Sequence, residues 1–387
     1  MNLKSFFRKI IFCAGAGLLA AGLPASLFCA EPQPQPAYSV YRGVSHIHSQ
    51  YSHDSNAPLS LILDTARAAK LDFVIVTDHN SLKARTDWPN AYTPPPLLIF
   101  GEEVSGPDGH LILMGIPQEP AKDMSSQALI DWAHSQGGYA FLPHPFCIKN
   151  PWKNWDVQGW DGLEVYNFGH SLFEGGEAVD LFLRSFSESD DAILKDAQQI
   201  NPEHFAFADQ VLQQRKMALI AGADAHLKRT ESWFQMALNS HTLYVVSPAL
   251  EEKEILRALA EGRSFVVFET HGRAPDFSFW AAPRAETPAV SVRLQDVEAP
   301  VQAGSAPQKY RVGDEILQNG PVVFHVHAPD AAKIRLVHNG VVAAEQAGTD
   351  LTFESAEKGP YRVEVDRDGQ LWIFTNAIYL GNPEIKT

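Results

Sequence analysis

Ser45-His46-Ile47-His48-Ser49-Gln50-Tyr51-Ser52-His53-Asp54-Ser55 sets three histidines and one acid within nine residues, directly after a short apolar run. So dense a mixture of nitrogen and oxygen donors is a metal-binding composition rather than a core pattern. On an extended strand His46 and His48 point to one face, two residues apart, so both imidazoles can reach a single ion. A lone His-x-His would more often be a solvated strand end. Here four later stretches repeat the design.

Working outward, strand-like runs alternate with helical patterns from Tyr38 to about Phe268. Leu59, Ile62, Leu63, Ala66 and Ala69 keep helix spacing, and residues 71–76 come next as a buried strand. Further strands are expected at Leu97–Phe100, His110–Gly115, Tyr139–Leu142, Leu163–Tyr166 and Met217–Ala221. Helices are expected at Ser125–Gln136, Glu177–Arg184, Pro202–Arg215 and Glu251–Ala260. This alternation predicts an α/β fold with a parallel sheet, open or closed into a barrel. The C-terminal ends of such strands gather on one face, where these folds place their sites.

Residues just past the strands are therefore the candidates for chemistry. Asp78-His79 stands after the second strand and Glu103 after the third, while His110 opens the fourth; His144 then stands between Pro143 and Pro145. Asp224-Ala225-His226 repeats the period-two spacing of His46-x-His48. Together the set holds six imidazoles (His46, His48, His79, His110, His144, His226) and three carboxylates (Asp54, Glu103, Asp224). One zinc-like ion takes about four ligands, so the set suits two or three divalent ions with a bridging carboxylate. Donors without thiolate fit Zn, Mn or Fe without choosing among them. Clustered ions of this kind support hydrolysis at phosphorus or carbon.

In their order, His46-x-His48 with Asp54, Thr77-Asp78-His79, Gly101-x-Glu103, His144-Pro145 and Asp224-x-His226 resemble the PHP superfamily, named for polymerase and histidinol phosphatase domains. The resemblance covers about residues 41–228. Gly109-His110, residues 163–167 and a β-rich tail resemble its secreted, carbaryl-hydrolase-like branch. It implies a distorted (β/α)7 barrel with a trinuclear site. His46, His48, Glu103 and Asp224 would hold one ion, and Asp54, His79 and His226 a second. Glu103 would bridge to a third held by His110 and His144. A metal-bridging hydroxide would be the nucleophile, and Asp78 would orient a ligand. Many members place the first acid one position earlier, where this chain has His53, so His53 stands beside Asp54 as an alternative.

The remaining sequence sets the context. At 387 residues the chain is long enough for two domains. A basic start (Lys4, Arg8, Lys9), an apolar run from Ile10 to about Leu23 and small residues near Ala30 read as a signal peptide over 1–30, followed by a Pro-rich spacer over 31–40. The protein is thus expected to be exported, periplasmic or secreted, with no membrane span in its mature form. Cys13 and Cys29 fall within that signal, which leaves Cys147 without a disulfide partner. Residues 41–270 form the expected hydrolase domain and 271–387 a small antiparallel β-sandwich, with Asn339-Gly340 as a hairpin turn. His325 and His327 read there as solvated strand residues.

Formal net charge is −15, and residues 1–30 carry three cations and no acid, so the rest is more acidic still. Such a surface repels polyanions and argues against stable nucleic-acid binding. Lys83, Arg85, Lys149, Lys153, Lys228 and Arg229 stand just after the ligand motifs and would suit a phosphorylated small molecule. Trp152, Trp155 and Trp160 would either wall a pocket or pack in the core. The leading expectation is a phosphoesterase for a small phosphomonoester or nucleotide, in which substitution of His144 or Asp224 abolishes turnover. The alternatives are a carboxylic or carbamic ester hydrolase and a metal-stabilised binding protein.

Overall fold

The computed structural model describes residues 38–88, 95–174, 188–198, 200–228, 230–284, 308–317 and 320–381. The signal and most of the spacer, the helix expected at Glu177–Arg184, Arg229, and most of the linker after Ala281 lie outside these residues. The chain runs β1 (Ser39–Ile47), α1 (Leu59–Ala68), β2 (Phe73–His79), α2 (Lys83–Asp87), β3 (Leu97–Gly106), β4 (Gly109–Met114), α3 (Ser126–Ser135), β5 (Tyr139–Leu142), β6 (Gly162–Asn167), α4 (Phe168–Glu174), α5 (Asp190–Ala197), α6 (Pro202–Leu212) and β7 (Ala218–Gly222). It continues through α7 (Glu231–Leu238), β8 (Thr242–Ser247), α8 (Glu252–Ala260), β9 (Ser264–Val267) and a 3-10 turn at Glu269–His271. Strands then dominate: β10 (Ser278–Pro283), β11 (Tyr310–Arg311), β12 (Glu315–Ile316), β13 (Val322–His338), β14 (Val341–Ser355), β15 (Gly359–Arg367), β16 (Gln370–Thr375) and β17 (Ile378–Leu380). No helix among the described residues is long and apolar enough to cross a membrane.

Local sequence explains the helices that frame the site. In α1, Leu59, Ile62, Leu63 and Ala66 are buried at helical spacing, which lays one apolar stripe on the sheet. Helix α3 begins where Ser125 Oγ accepts a hydrogen bond from the Ala128 amide at 3.2 Å, satisfying one of the amides a helix start leaves free.

The sheet is mixed rather than parallel. β1, β2 and β3 pair in parallel, as do β5, β6 and β7, but β4 is antiparallel to both β3 and β5. The reversal has a local cause, since Gly106-Pro107-Asp108-Gly109 joins β3 to β4 too briefly for a crossover helix, and Gly109 adopts φ 136°. The run also returns on itself. Ala223 N donates to Ser45 O at 3.0 Å, Ala225 N to His46 O at 3.2 Å, and His48 N to Ala225 O at 3.0 Å, joining the end of β7 to β1.

Strands β8 and β9 serve two cores at once. Leu243, Val245, Val266 and Phe268 face the core that lies under β1–β7, whereas Tyr244, Val246, Phe265 and Val267 face a second core shared with the C-terminal strands. Period-two alternation divides them, so a strand apolar on both faces is the required sequence. β16 pairs with β9, so the C-terminal strands are hydrogen-bonded to the strands of the first core. The two strands expected at residues 322–327 and 333–337 are one long strand, β13, interrupted between His327 and Ala332. Asn339 (φ 51°) and Gly340 (φ 80°) turn it into β14, the left-handed pair that a two-residue hairpin requires. In this region His325 stacks on Trp280 at 4.0 Å and His327 meets Asp350 at 2.8 Å.

Candidate metal centre

The strand ends bring the nine motif residues into one cluster. Glu103 is its hub, fully buried near the end of β3. Its Oε2 lies 3.0 Å from His46 Nε2, 3.1 Å from His48 Nε2 and 3.4 Å from His79 Nδ1. Its Oε1 lies 2.6 Å from His110 Nδ1 and 3.0 Å from His144 Nε2. Asp224 Oδ1 completes the first group, 3.4 Å from His46 Nε2 and 3.3 Å from His48 Nε2. At the outer edge Asp54 Oδ2 sits 3.0 Å from His226 Nε2 and 3.8 Å from His79 Nε2.

Three groups of these side chains have ligand atoms close enough to share an ion: His46, His48, Glu103 and Asp224; His48, Asp54, His79 and His226; His79, Glu103 and His110. Donors around a tetrahedral ion with bonds of 2.0–2.1 Å stand about 3.3–3.4 Å apart. The first group, with spacings of 3.0–3.4 Å, meets that requirement. Several ring nitrogens also want a partner: His48 Nε2, His79 Nδ1 and His226 Nε2 are buried without an aligned hydrogen bond. The residues fit divalent cations.

Electrostatics points the same way. Burial alone would raise the Glu103 carboxyl, yet His46 and the bonds from His110 and His144 hold it well below the ordinary carboxylate range. Asp224 behaves alike, with burial opposed by His46 and His48. Burial would lower His48, but Asp224 and Glu103 lift it to about 9. Burial, helped by the charge of His48, takes His79 down to about 4. The buried acids thus gather positive charge around themselves, which metal ions supply without protons.

The geometry departs from a regular strand. His46 has φ 64°, and the register of β1 against β2 shifts between Val44 and Ile47. His46 and His48 therefore converge through a kink, not by strand periodicity. His144 (φ 29°) and Asp224 (φ 49°) are also in the left-handed region, so three residues of the cluster carry backbone strain. Strand β3 runs through Glu102 and Glu103 to Gly106, past the end expected at Phe100. Asp78 bonds Ser49 instead of a cluster ring: its oxygens accept from Ser49 N at 2.6 Å and Ser49 Oγ at 2.7 Å, fixing the chain just beyond His48. Asp54 enters the cluster while His53 stays exposed, its ring 5.1 Å from His79.

No family model matches the chain. An uncharacterised protein of Methanocaldococcus jannaschii is 27% identical over 139 residues, covering 32% of this chain and 81% of that protein. A two-domain protein from Bacteroides vulgatus, described as containing a predicted PHP-like metal-dependent phosphoesterase, aligns over 88% of this chain and 95% of its own, with 14% identity and a TM-score of 0.41. An amidohydrolase from Chromobacterium violaceum, solved with bound sulfate and no metal, aligns over 48% of this chain and 88% of its own, with 16% identity and a TM-score of 0.33.

The structure gives roles that the motifs did not assign to Glu164, within the stretch 163–167 noted above, and to His170. Glu164, buried in β6, accepts from His46 Nδ1 at 2.8 Å through Oε1. Through Oε2 it accepts from the His144 amide at 3.0 Å and from Asn167 Nδ2 at 2.8 Å. Assigning the Nδ1 proton of His46 to this bond leaves its Nε2 lone pair facing Glu103 and Asp224, the orientation a ligand needs. Cys147 and His170 join His144 in a further group of ligand-type atoms. Cys147 is buried without a disulfide, and His170, which carries no sequence signal, is pushed down to about 4 by burial and by His144. Trp152 and Trp160 are buried in the core, whereas Trp155 is partly exposed against Phe146 and Phe207.

Gly222 exists for Glu164. A Cβ at residue 222 would stand 2.0 Å from Glu164 Oε1 and 2.3 Å from its Cδ. Gly222→Ala is therefore expected to displace the carboxylate, destabilise the fold by about 1–3 kcal/mol and lower bound metal. Urea denaturation and metal analysis of the purified variant check both effects. Unchanged values in both would show that Glu164 moves without consequence.

Proposed function

We propose that this chain is a PHP-type metal-dependent hydrolase, a phosphoesterase for a small phosphomonoester or nucleotide. In this reading the closed run β1–β7 is a distorted (β/α)7 barrel, the C-terminal strands are a β-sandwich, and the chain is exported. One observation carries the chemistry: the two oxygens of Glu103 face different sets of imidazoles, His46, His48 and His79 on one side and His110 and His144 on the other. A carboxylate so placed could serve two ions at once, which would suit a hydrolytic rather than a single structural site.

Divalent ions held by these residues would acidify water and offset charge on the oxygens of a displacement. The protein's own groups do the rest. Glu164 fixes the His46 ring, and Asp78 fixes the turn that carries His48. Lys228 Nζ lies 3.3 Å from Asp54 Oδ2 with its side chain 59% exposed, so it can meet an anionic substrate oxygen at the open edge. The ester alternative has an observation of its own. Arg85 is turned away, donating to Ile116 O at 2.8 Å and lying 3.7 Å from Glu252, which reduces the positive charge offered to a phosphate.

The deciding experiment gives purified protein a phosphomonoester, a phosphodiester and a carboxyl ester, each with Mn or Zn and again after chelation. Chelator-sensitive phosphate release from the monoester is the expected result. Ester cleavage alone moves the protein to the second reading, and inactivity on all three with metal bound overturns both.

A further inference from the structure

At the end of the strands opposite the metal centre, a cavity of about 130 Å³ lies between the segments entering β6 and β7 and the C-terminal strands. Trp160 and Asp161 form one wall, Arg215 and Lys216 the second, and Gly313 and Tyr379 a third. At about 3.3 Å per residue, the stretch from Arg215 to Asp224 separates this cavity from the metal cluster by most of the length of the sheet.

Its two cations and two acids, Arg215, Lys216, Asp161 and Glu261, do not pair with one another. The Arg215 guanidinium lies 3.9 Å over the Trp160 ring, and its Nη1 donates to Lys216 O at 3.2 Å. Its Nη2 is buried with no partner. Lys216 Nζ donates to Gly313 O at 3.0 Å and sits 5.4 Å from the Tyr379 ring, with donor capacity left over. The two acids on the lining are already engaged. Asp161 Oδ2 accepts from His134 Nε2 at 2.9 Å and from the Ala140 amide at 2.7 Å. Glu261 accepts from Arg263 Nε at 2.7 Å and Arg257 Nη1 at 3.3 Å. Among the described residues neither Arg215 nor Lys216 has a carboxylate bonded to it.

We propose that this cavity binds a small tetrahedral oxyanion, held by the free edge of Arg215 and by Lys216. A stacked guanidinium with an open edge is the side chain best shaped for two oxygens of one anion, and a buried guanidinium nitrogen without an acceptor favours acquiring one. Burial holds the Arg215 pKa below its usual value, only partly opposed by Asp161, which agrees with a missing negative partner. The bound anion would join the segment entering β7 to the C-terminal strands, and the site stands or falls independently of the metal centre.

The test is thermal unfolding of the full chain in sodium sulfate, in inorganic phosphate, and in sodium chloride at matched ionic strength. Both oxyanions raise Tm over chloride in the native protein. Arg215→Gln weakens the apparent affinity by about tenfold or more, and Lys216→Gln, at an exposed position, by a smaller factor. If the Arg215 variant does not fold, Lys216→Gln carries the test alone. A missing response in the native protein overturns the proposal. So does a response that both variants retain in full, which would place the anion elsewhere.

Discussion

Glu103→Gln, which keeps the shape of the side chain and removes its charge, is expected to lower metal-dependent hydrolysis by roughly 10³-fold or more and to leave the purified protein short of divalent metal. Loss of an outer hydrogen-bond partner at a metal site already costs about 10–100-fold, and Glu103 is no outer partner. Five imidazoles come within 3.4 Å of its two oxygens. The neighbouring Glu102 is the control. It too is buried, but successive side chains of a strand face opposite ways, and burial, with Glu119 nearby, pushes its carboxyl up to about 8. Glu102→Gln should keep its metal. Metal analysis beside single-turnover hydrolysis separates the two variants, and a Glu103→Gln protein with full metal content and full activity would refute the bridging role.

The second large effect concerns stability. Arg362 on β15 is 3% exposed and makes two bonds to Asp209 on α6, Nε to Oδ1 at 2.6 Å and Nη2 to Oδ2 at 2.7 Å. Its Nη1 donates to Glu364 Oε1 at 2.6 Å, and the guanidinium lies 4.6 Å over the Phe205 ring. Arg362→Ala strands the buried Asp209, while Glu364 keeps Arg335 at 2.8 Å, and should cost about 3–5 kcal/mol in urea unfolding. Removing both partners, as in Arg362→Met with Asp209→Leu, should recover much of that loss because no charge is left unpaired. A loss below about 1 kcal/mol in the single variant would show that the pair contributes little.

How much of this was legible depends on where each residue acts. His46, His48, His79, His144, Asp224 and His226 announce themselves because ligands at strand ends recur in short spaced motifs. The Asn339-Gly340 hairpin was readable for a similar reason, since few residues accept its backbone angles. The reversal of β4 was available too, for Pro107-Asp108-Gly109 is a turn signal that leaves no room for a crossover. Glu164 was not legible as a ligand support. It lies mid-strand among apolar neighbours, and its role depends on His46, which only the fold brings beside it. The kink at His46 was equally hidden, because a positive φ at histidine is imposed by tertiary pairing, not by local preference. Strands β8 and β9 needed the second core before their two apolar faces made sense.

The join between β1 and the end of β7 falls on Ser45, His46, His48, Ala223 and Ala225, interleaved with His46, His48, Asp224 and His226 of the cluster. The first and last motifs of the sequence therefore form both sides of one seam, and ions seated there would act as a clasp across it. Loading and closure would then become a single cooperative event: whatever binds the closed form alone adds its binding free energy to the seam, and withdrawing it leaves the seam to its own hydrogen bonds, the three backbone ones and Ser45 Oγ to Ala221 O at 2.9 Å among them. A chain of this design would take up metal and become locally rigid in the same step.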